Sequence, residues 1–185
     1  MNNTATLYQD LERILITREE IQAAVKRLGE QITKDYEGKE PLFVCILKGA
    51  VVFYTDLIRE IDLPLNLEFM SISSYGASTK SSGVVNIRKD LDVDVTGRDI
   101  IIVEDIVDSG MTLSFLKKVF ATRNAASVRI ATLLNKPARR RVELDVEYQE
   151  GNAEKAAYEI ARMANGNPGP GTGIKGPAGG KRRKY

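Results

Sequence analysis

Two rhythms of apolar residues alternate along the chain. Ile21, Val25, Leu28 and Ile32 recur at helical spacing behind Thr17-Arg18-Glu19-Glu20, where hydroxyl and carboxylate can each satisfy an orphan backbone N–H at a helix start. That predicts an amphipathic helix with one buried stripe. Leu42 to Leu47 is a short unbroken apolar run, read as a buried strand. Val51 to Ile61 reads as a helix ended by Pro64, and Leu67 to Ile72 as the next strand. Ile100 to Glu104, a helix around Leu113 to Ala121, and Val128 to Leu134 repeat the unit. Strand–helix–strand crossovers are right-handed and parallel, so the repetition predicts an α/β fold with a doubly wound, mostly parallel twisted sheet. Val142 to Tyr148 alternates and is expected to be a further strand; there is no internal repeat.

Between the second and third of these strands lies a polar stretch, Ser73 to Gly83, carrying Ser74, Ser78, Thr79, Ser81 and Ser82. Its pattern fits either a hairpin loop, with Val84 to Ile87 pairing back, or a mobile lid. Composition then narrows the class. A chain of 185 residues with 43% apolar residues suffices for one globular domain. The single Cys45 lies inside an apolar run, which makes it a packing residue and excludes a disulfide framework; a reducing cytoplasm suits it. No segment approaches the ~18 uninterrupted apolar residues of a membrane span, and the polar start Met1-Asn2-Asn3-Thr4 is not a signal peptide. The absence of histidine excludes Ser–His and Cys–His catalysis and His-based zinc sites.

The densest chemistry sits in Ile101 to Thr112, an apolar strand leading into Glu104, Asp105 and Asp108 and then the small-residue turn Ser109-Gly110-Met111-Thr112. Such a turn aims backbone N–H groups and a hydroxyl at one spot over a helix N-terminus, which favours a phosphate. Glu104 and Asp105 can hold ribose hydroxyls or Mg2+, or serve merely as ion-pair or capping residues. Asp108 can accept a proton, and can also cap the helix that follows, where the dipole keeps it ionised. Lys48 and Lys136 alone would be solvated surface lysines, and Arg139-Arg140-Arg141 reads as a solvated or oligomer-facing edge.

The run of two acids followed by Asp-Ser-Gly-x-Thr resembles the phosphoribosyl-pyrophosphate motif of the type I phosphoribosyltransferases. Leu47-Lys48-Gly49-Ala50, Ser73-Ser74-Tyr75-Gly76 and Thr132-Leu133-Leu134-Asn135-Lys136-Pro137 are similar in identity and order to the bacterial hypoxanthine phosphoribosyltransferases of that family, over about residues 7–148. The resemblance implies transfer of a phosphoribosyl group from phosphoribosyl pyrophosphate to a 6-oxopurine, hypoxanthine and by extension guanine, with release of pyrophosphate. It implies Mg2+ as cofactor, with Glu104 and Asp105 as its ligands and as ribose contacts. Lys48 and Gly49 would form the pyrophosphate loop, Ser74 and Tyr75 would meet pyrophosphate from a closing lid, and Ser109, Gly110, Met111 and Thr112 would hold the 5′-phosphate. Asp108 would be the acid–base residue at the purine N7 edge, and Lys136 would donate to the purine O6. A homodimer or homotetramer is expected from the same resemblance.

From Glu150 onward the resemblance stops. The family continues with a hood that stacks an aromatic ring on the purine, supplies an aspartate for magnesium and sets an arginine on pyrophosphate; this chain has no Asp after Asp145 and no Phe after Phe120. The organisation expected is therefore a domain over 1–149 with a truncated or replaced hood, a short helix over 150–165, and a Gly/Pro-rich basic disordered tail over 166–185. The segment from Glu150 carries seven Lys or Arg against three Glu, net +4, leaving the body at net −2. Two function classes follow: a purine salvage enzyme whose turnover the foreign end weakens or abolishes, or a non-catalytic nucleotide-binding regulator that sets its basic tail on RNA. Four basic residues at Lys181 to Lys184 neutralise little phosphate, which makes nucleic acid the weaker partner.

Overall fold

The computed structural model describes residues 16–74 and 85–152. Helix α1 (Arg18–Asp35) begins at Thr17, and both arms of its capping box are made: Glu20 N–H donates to Thr17 Oγ1 at 3.1 Å and Thr17 N–H donates to Glu20 Oε2 at 2.7 Å. The buried stripe is Ala24, Val25, Leu28, Gly29 and Ile32. Strand β1 (Leu42–Leu47) and helix α2 (Val51–Arg59) follow as their patterns predict. The helix stops five residues short of Pro64, closing on Glu60, whose N–H donates to the Leu57 carbonyl.

Strands β2 (Asn66–Ser74), β3 (Val85–Lys89), β4 (Asp99–Val107), β5 (Ser127–Asn135) and β6 (Tyr148–Asn152) complete one six-stranded sheet in the order β3-β2-β1-β4-β5-β6. All neighbours are parallel except β2 and β3, which pair antiparallel with Ile72 opposite Ile87. Pairing back after the polar stretch is therefore present, while residues 75–84, the would-be lid, fall outside the described residues. Helix α3 (Met111–Thr122) follows β4.

Alternation within β1 and β4 divides the core into two layers. Phe43, Cys45, Ile101 and Val103 face α1 and α2, meeting Val25, Leu28, Ile32, Phe53, Tyr54 and Leu57. Leu42, Val44, Ile46, Ile100 and Ile102 face α3 through Leu113, Leu116 and Phe120. Helices on both faces make the sheet doubly wound, and β1, buried on both sides, sits where the order turns from β2 on one flank to β4 on the other. Crevices at such turning points, beyond the carboxyl ends of the strands, are where α/β sheets take ligands.

One predicted element is misplaced. Val142 to Glu147 is irregular, and the strand starts only at Tyr148. Leu144 and Val146 pack on the α3-side core, so the alternation is real, but no strand pairs with this segment among the described residues. Instead the Glu147 carboxylate accepts the Ile130 N–H at 2.8 Å and a Lys117 ammonium at 2.9 Å, so a side chain serves β5 where strand pairing would otherwise do so. Strand β6 is then held by buried Tyr148, whose hydroxyl donates to Asp35 at 2.9 Å, and by Glu150, which takes Arg27 Nη2 at 2.7 Å; both partners lie on α1. Of the short helix expected over 150–165, residues 150–152 instead lie in β6; the rest of it and the basic tail lie outside the described residues.

The crossing of α1 over the end of α2 depends on Gly29. A Cβ there would lie 2.6 Å from both Cβ and the carbonyl oxygen of Glu60. Alanine improves intrinsic helix propensity by about 1 kcal/mol, but forcing backbone apart typically costs about 1–3 kcal/mol. Gly29→Ala is therefore expected to destabilise the protein on balance, read as a lower midpoint in urea denaturation; a raised midpoint would contradict the close crossing.

Candidate active site

Strand β1 ends at Leu47, and a cis peptide joins Leu47 to the exposed Lys48. Gly49 follows against the end of β4: a Cβ on it would lie 3.3 Å from Asp105 Oδ2 and 3.4 Å from Oδ1. Only a residue without a side chain allows that approach in comfort. Asp105 accepts its neighbour Ile106 N–H at 2.9 Å, and its carbonyl accepts the hydroxyl of Thr132, a fully buried residue on β5.

Glu104, immediately before it, has a buried Oε2 with no hydrogen-bond partner. Burial first, and then the adjacent Asp105 charge, push this carboxyl up to about 8. Neither acid forms an ion pair among the described residues, and neither caps a helix, so the structural roles open to them in the sequence are not taken up. An unpartnered buried carboxylate oxygen is costly. A hard cation or a ribose hydroxyl would relieve it. The donor set fits Mg2+ in chemistry; no group of three or more His, Cys, Asp or Glu side chains converges among the described residues, so such an ion would draw its other ligands from substrate and water. Beneath the acids the Cys45 thiol is buried and pushed up to about 11, by desolvation first, which leaves it an inert packing group.

The turn after β4 is built differently from its sequence reading. Asp108 does not cap α3. The N-cap is Gly110, with φ of 78° in the left-handed region and no side-chain cap of its own, so apart from Met111 N–H, which reaches Ser109 Oγ, the first amides of α3 are left for a ligand. Ser109 Oγ lies 3.5 Å from Met111 N, Ser114 N–H closes the first helical bond on Gly110 O at 2.9 Å, and Thr112 sits half-buried in the first turn. Asp108 is half-exposed, and Arg139 Nε donates to its Oδ1 at 3.2 Å.

The arginine run is a solvated edge at Arg139 and Arg141, which are exposed, but not at Arg140. Arg140 is half-buried and Nη1 donates to the Asp108 carbonyl at 3.0 Å, while Arg141 N–H donates to the Ser109 carbonyl at 3.0 Å. Lys136 follows β5, its N–H donating to the Val107 carbonyl at 2.9 Å, which sets it beside the start of the turn. Ser74 ends β2 at the same carboxyl edge, and Tyr75 lies outside the described residues. Sequence reasoning missed Arg140, Asn135, Thr132 and Ser73, whose buried hydroxyl also has no partner. Ser73, Thr132 and Asn135 lie within segments the sequence had singled out, and Arg140 lies just after one of them.

One sheet edge therefore gathers Lys48, Gly49, Glu104, Asp105, Asp108 to Thr112 and Lys136. The family profile described as "Phosphoribosyl transferase domain" matches residues 15–161. The chain belongs to the phosphoribosyltransferase family. The match extends past Gln149, so β6 and the residues just after it fall inside the family's span. A hypoxanthine-guanine phosphoribosyltransferase of Streptococcus thermophilus is 50% identical over 142 residues, covering 77% of this chain and 79% of that protein. One from Bacillus subtilis is 51% identical over 139 residues, covering 75% and 77%. A crystal structure of a hypoxanthine phosphoribosyltransferase from Staphylococcus aureus superposes with a TM-score of 0.77 at 40% identity, covering 82% of each chain. With relatives of this kind the phosphoribosyltransferase fold and an enzymatic role in purine salvage stand together, and the regulator reading is not supported. Among the described residues no helix is long and apolar enough to cross a membrane.

The Glu104 carboxyl gives a testable pH signature. Its ordinary value is 4.5 and the folded protein raises it to about 8, so between these the folded state binds more protons than the unfolded. Unfolding free energy from this group therefore falls as pH rises through that window. In chelator-treated protein, Glu104→Gln is expected to remove that fall and to exceed wild type in stability at about pH 9. Parallel pH slopes for the two proteins in chemical denaturation would exclude the unpaired acid.

Proposed function

We propose that this protein transfers the phosphoribosyl group of phosphoribosyl pyrophosphate to hypoxanthine, and to guanine as second substrate, forming IMP or GMP and pyrophosphate. The observation that carries the reading is the meeting of two chain segments at the sheet's turning point, Gly49 against the Asp105 carboxylate, with an unpartnered Glu104 oxygen alongside.

In the reaction the C1–oxygen bond to pyrophosphate breaks while a purine nitrogen bonds to C1, through a transition state with positive charge on the ribose ring. Lys48 and the Gly49 backbone face the leaving group, where a cation and close main-chain approach offset developing negative charge. Glu104 and Asp105 hold the ribose hydroxyls and are the residues that would hold Mg2+, which when bound supplies charge neutralisation to pyrophosphate. The turn Ser109-Gly110-Met111-Thr112 takes the 5′-phosphate on uncapped helix amides. A neutral oxopurine carries one imidazole N–H, and attack by the other nitrogen must release that proton. Asp108 accepts it at the N7 edge, freed from Arg139 as substrate enters. Lys136 donates to O6 and so prefers 6-oxopurines to adenine. Ser74 and Tyr75 meet pyrophosphate from the connection between β2 and β3, excluding water that would otherwise capture the ribosyl cation. A homodimer or homotetramer in the cytoplasm is the setting proposed.

The deciding experiment is a steady-state assay of IMP formation from hypoxanthine, phosphoribosyl pyrophosphate and Mg2+, paired with calorimetric titration of each substrate. Nucleotide formation supports the proposal; binding of phosphoribosyl pyrophosphate without turnover would show a site that holds the donor but lacks the purine hood. Asp108→Asn keeps the shape of the residue but removes the base, and kcat should fall by ~10²–10⁴ with little change in donor binding. An unchanged rate would remove Asp108 from the mechanism. In Gly110→Val a β-branched side chain must adopt positive φ, and its Cβ meets Leu144 Cδ2 at 3.2 Å and Arg140 at 3.4 Å. Ribose 5-phosphate binding should be lost in folded Gly110→Val protein; wild-type affinity would refute the phosphate turn.

A further inference from the structure

Residues 108–110 are held to α3 from within only by the long 3.5 Å bond of Met111 N–H to Ser109 Oγ, and Gly110 has no side chain with which to anchor itself. Their bracing comes from outside the turn. Arg140 lies beneath it, with Cδ and Nη1 each 3.4 Å from where a Gly110 Cβ would stand. Nη1 donates to the Asp108 carbonyl at 3.0 Å, and Nη2 donates to Asn135 Oδ1 at the end of β5. The Asn135 amide then donates through Nδ2 to Gln149 Oε1 on β6. Asn135 is itself buried. Burial lowers the half-buried Arg140 guanidinium against the opposing pull of Asp108.

We propose that Arg140 is a positioning residue, a two-pronged tie that presents the phosphate turn and links it, through Asn135 and Gln149, to the strand from which the C-terminal segment departs. Occupation of the phosphate turn is thereby felt at β6. A planar guanidinium with donors in fixed directions can bridge a backbone carbonyl and an amide oxygen together, and a lysine ammonium on a flexible stem cannot reproduce that geometry. The inference rests on the reading of residues 109–112 as the 5′-phosphate subsite.

The test uses the full chain and its Arg140→Lys and Arg140→Met variants, with IMP binding by calorimetry, steady-state kinetics, and amide hydrogen exchange of β6 with and without IMP. Removing a hydrogen bond from a charged donor is worth roughly tenfold or more in affinity. Affinity for IMP and KM for phosphoribosyl pyrophosphate should weaken by about that factor in both variants, with kcat changed far less. IMP should slow exchange at Gln149 in the wild type and leave it unchanged in Arg140→Met. Gln149→Ala, which cuts the far end of the tie at an exposed residue, serves where Arg140→Met does not fold: it should keep the turn intact and weaken IMP binding less than Arg140→Lys. Wild-type IMP affinity in Arg140→Lys, or equal slowing of β6 exchange in wild type and variant, would overturn the proposal. No IMP binding by the wild type would instead overturn the phosphate-site reading on which it stands.

Discussion

The close approach of the β1 and β4 ends is the constraint on which the site depends. Their cores interdigitate on both faces, which fixes the two strands side by side and in parallel register, Leu42 beside Ile100 and Cys45 beside Val103. Two chains that leave adjacent parallel strands at the same edge must share the space above it. Gly49 resolves that crowding by having no side chain, and the volume it gives up is filled by the Asp105 carboxylate. A larger residue would push either the β1 loop or the acid away, so the leaving-group loop and the acid pair are adjustable only together.

The same crowding explains why Glu104 is left without a partner. The strand is buried to Val103, and the carboxylate emerges just where water has been excluded but no protein donor has been supplied. Proteins rarely tolerate such an atom unless something else answers it. The site thus holds part of its binding energy in reserve as an unmet electrostatic demand, and partner groups brought by a ligand would meet it.

The parts of this architecture that are encoded locally were legible in the sequence. Thr17 and Glu20 announce α1 because both capping partners lie within one turn, and β1 and β4 announce themselves because burial on both faces demands unbroken apolar runs. The acid pair and glycine turn were readable for a similar reason, since the chemistry is contained in nine consecutive residues. Arg140 was not legible: its partners at Asp108 and Asn135 come from two other elements, and three arginines in a row carry no periodicity to say which one turns inward. Asp108 illustrates the opposite error, an acid before a helix that is diverted to Arg139 while glycine takes the cap. At Val142 to Glu147 the alternation reports packing of Leu144 and Val146 on a core, and period two alone cannot tell this from strand pairing.

Strand β6 pairs with β5 through its backbone and is fastened by its side chains to a helix from early in the sequence. Its tyrosine and glutamate reach Asp35 and Arg27 on α1, across 113 and 123 residues of sequence. During synthesis α1 emerges early, yet these holds on it arrive only when β6 has left the ribosome. Contacts of such separation form late and slowly. Until then α1 rests on its contacts with α2 and the sheet, among them the Arg129 guanidinium of β5 at 3.5 Å from Asp35, and the closure is completed only with the appearance of Tyr148 and Glu150.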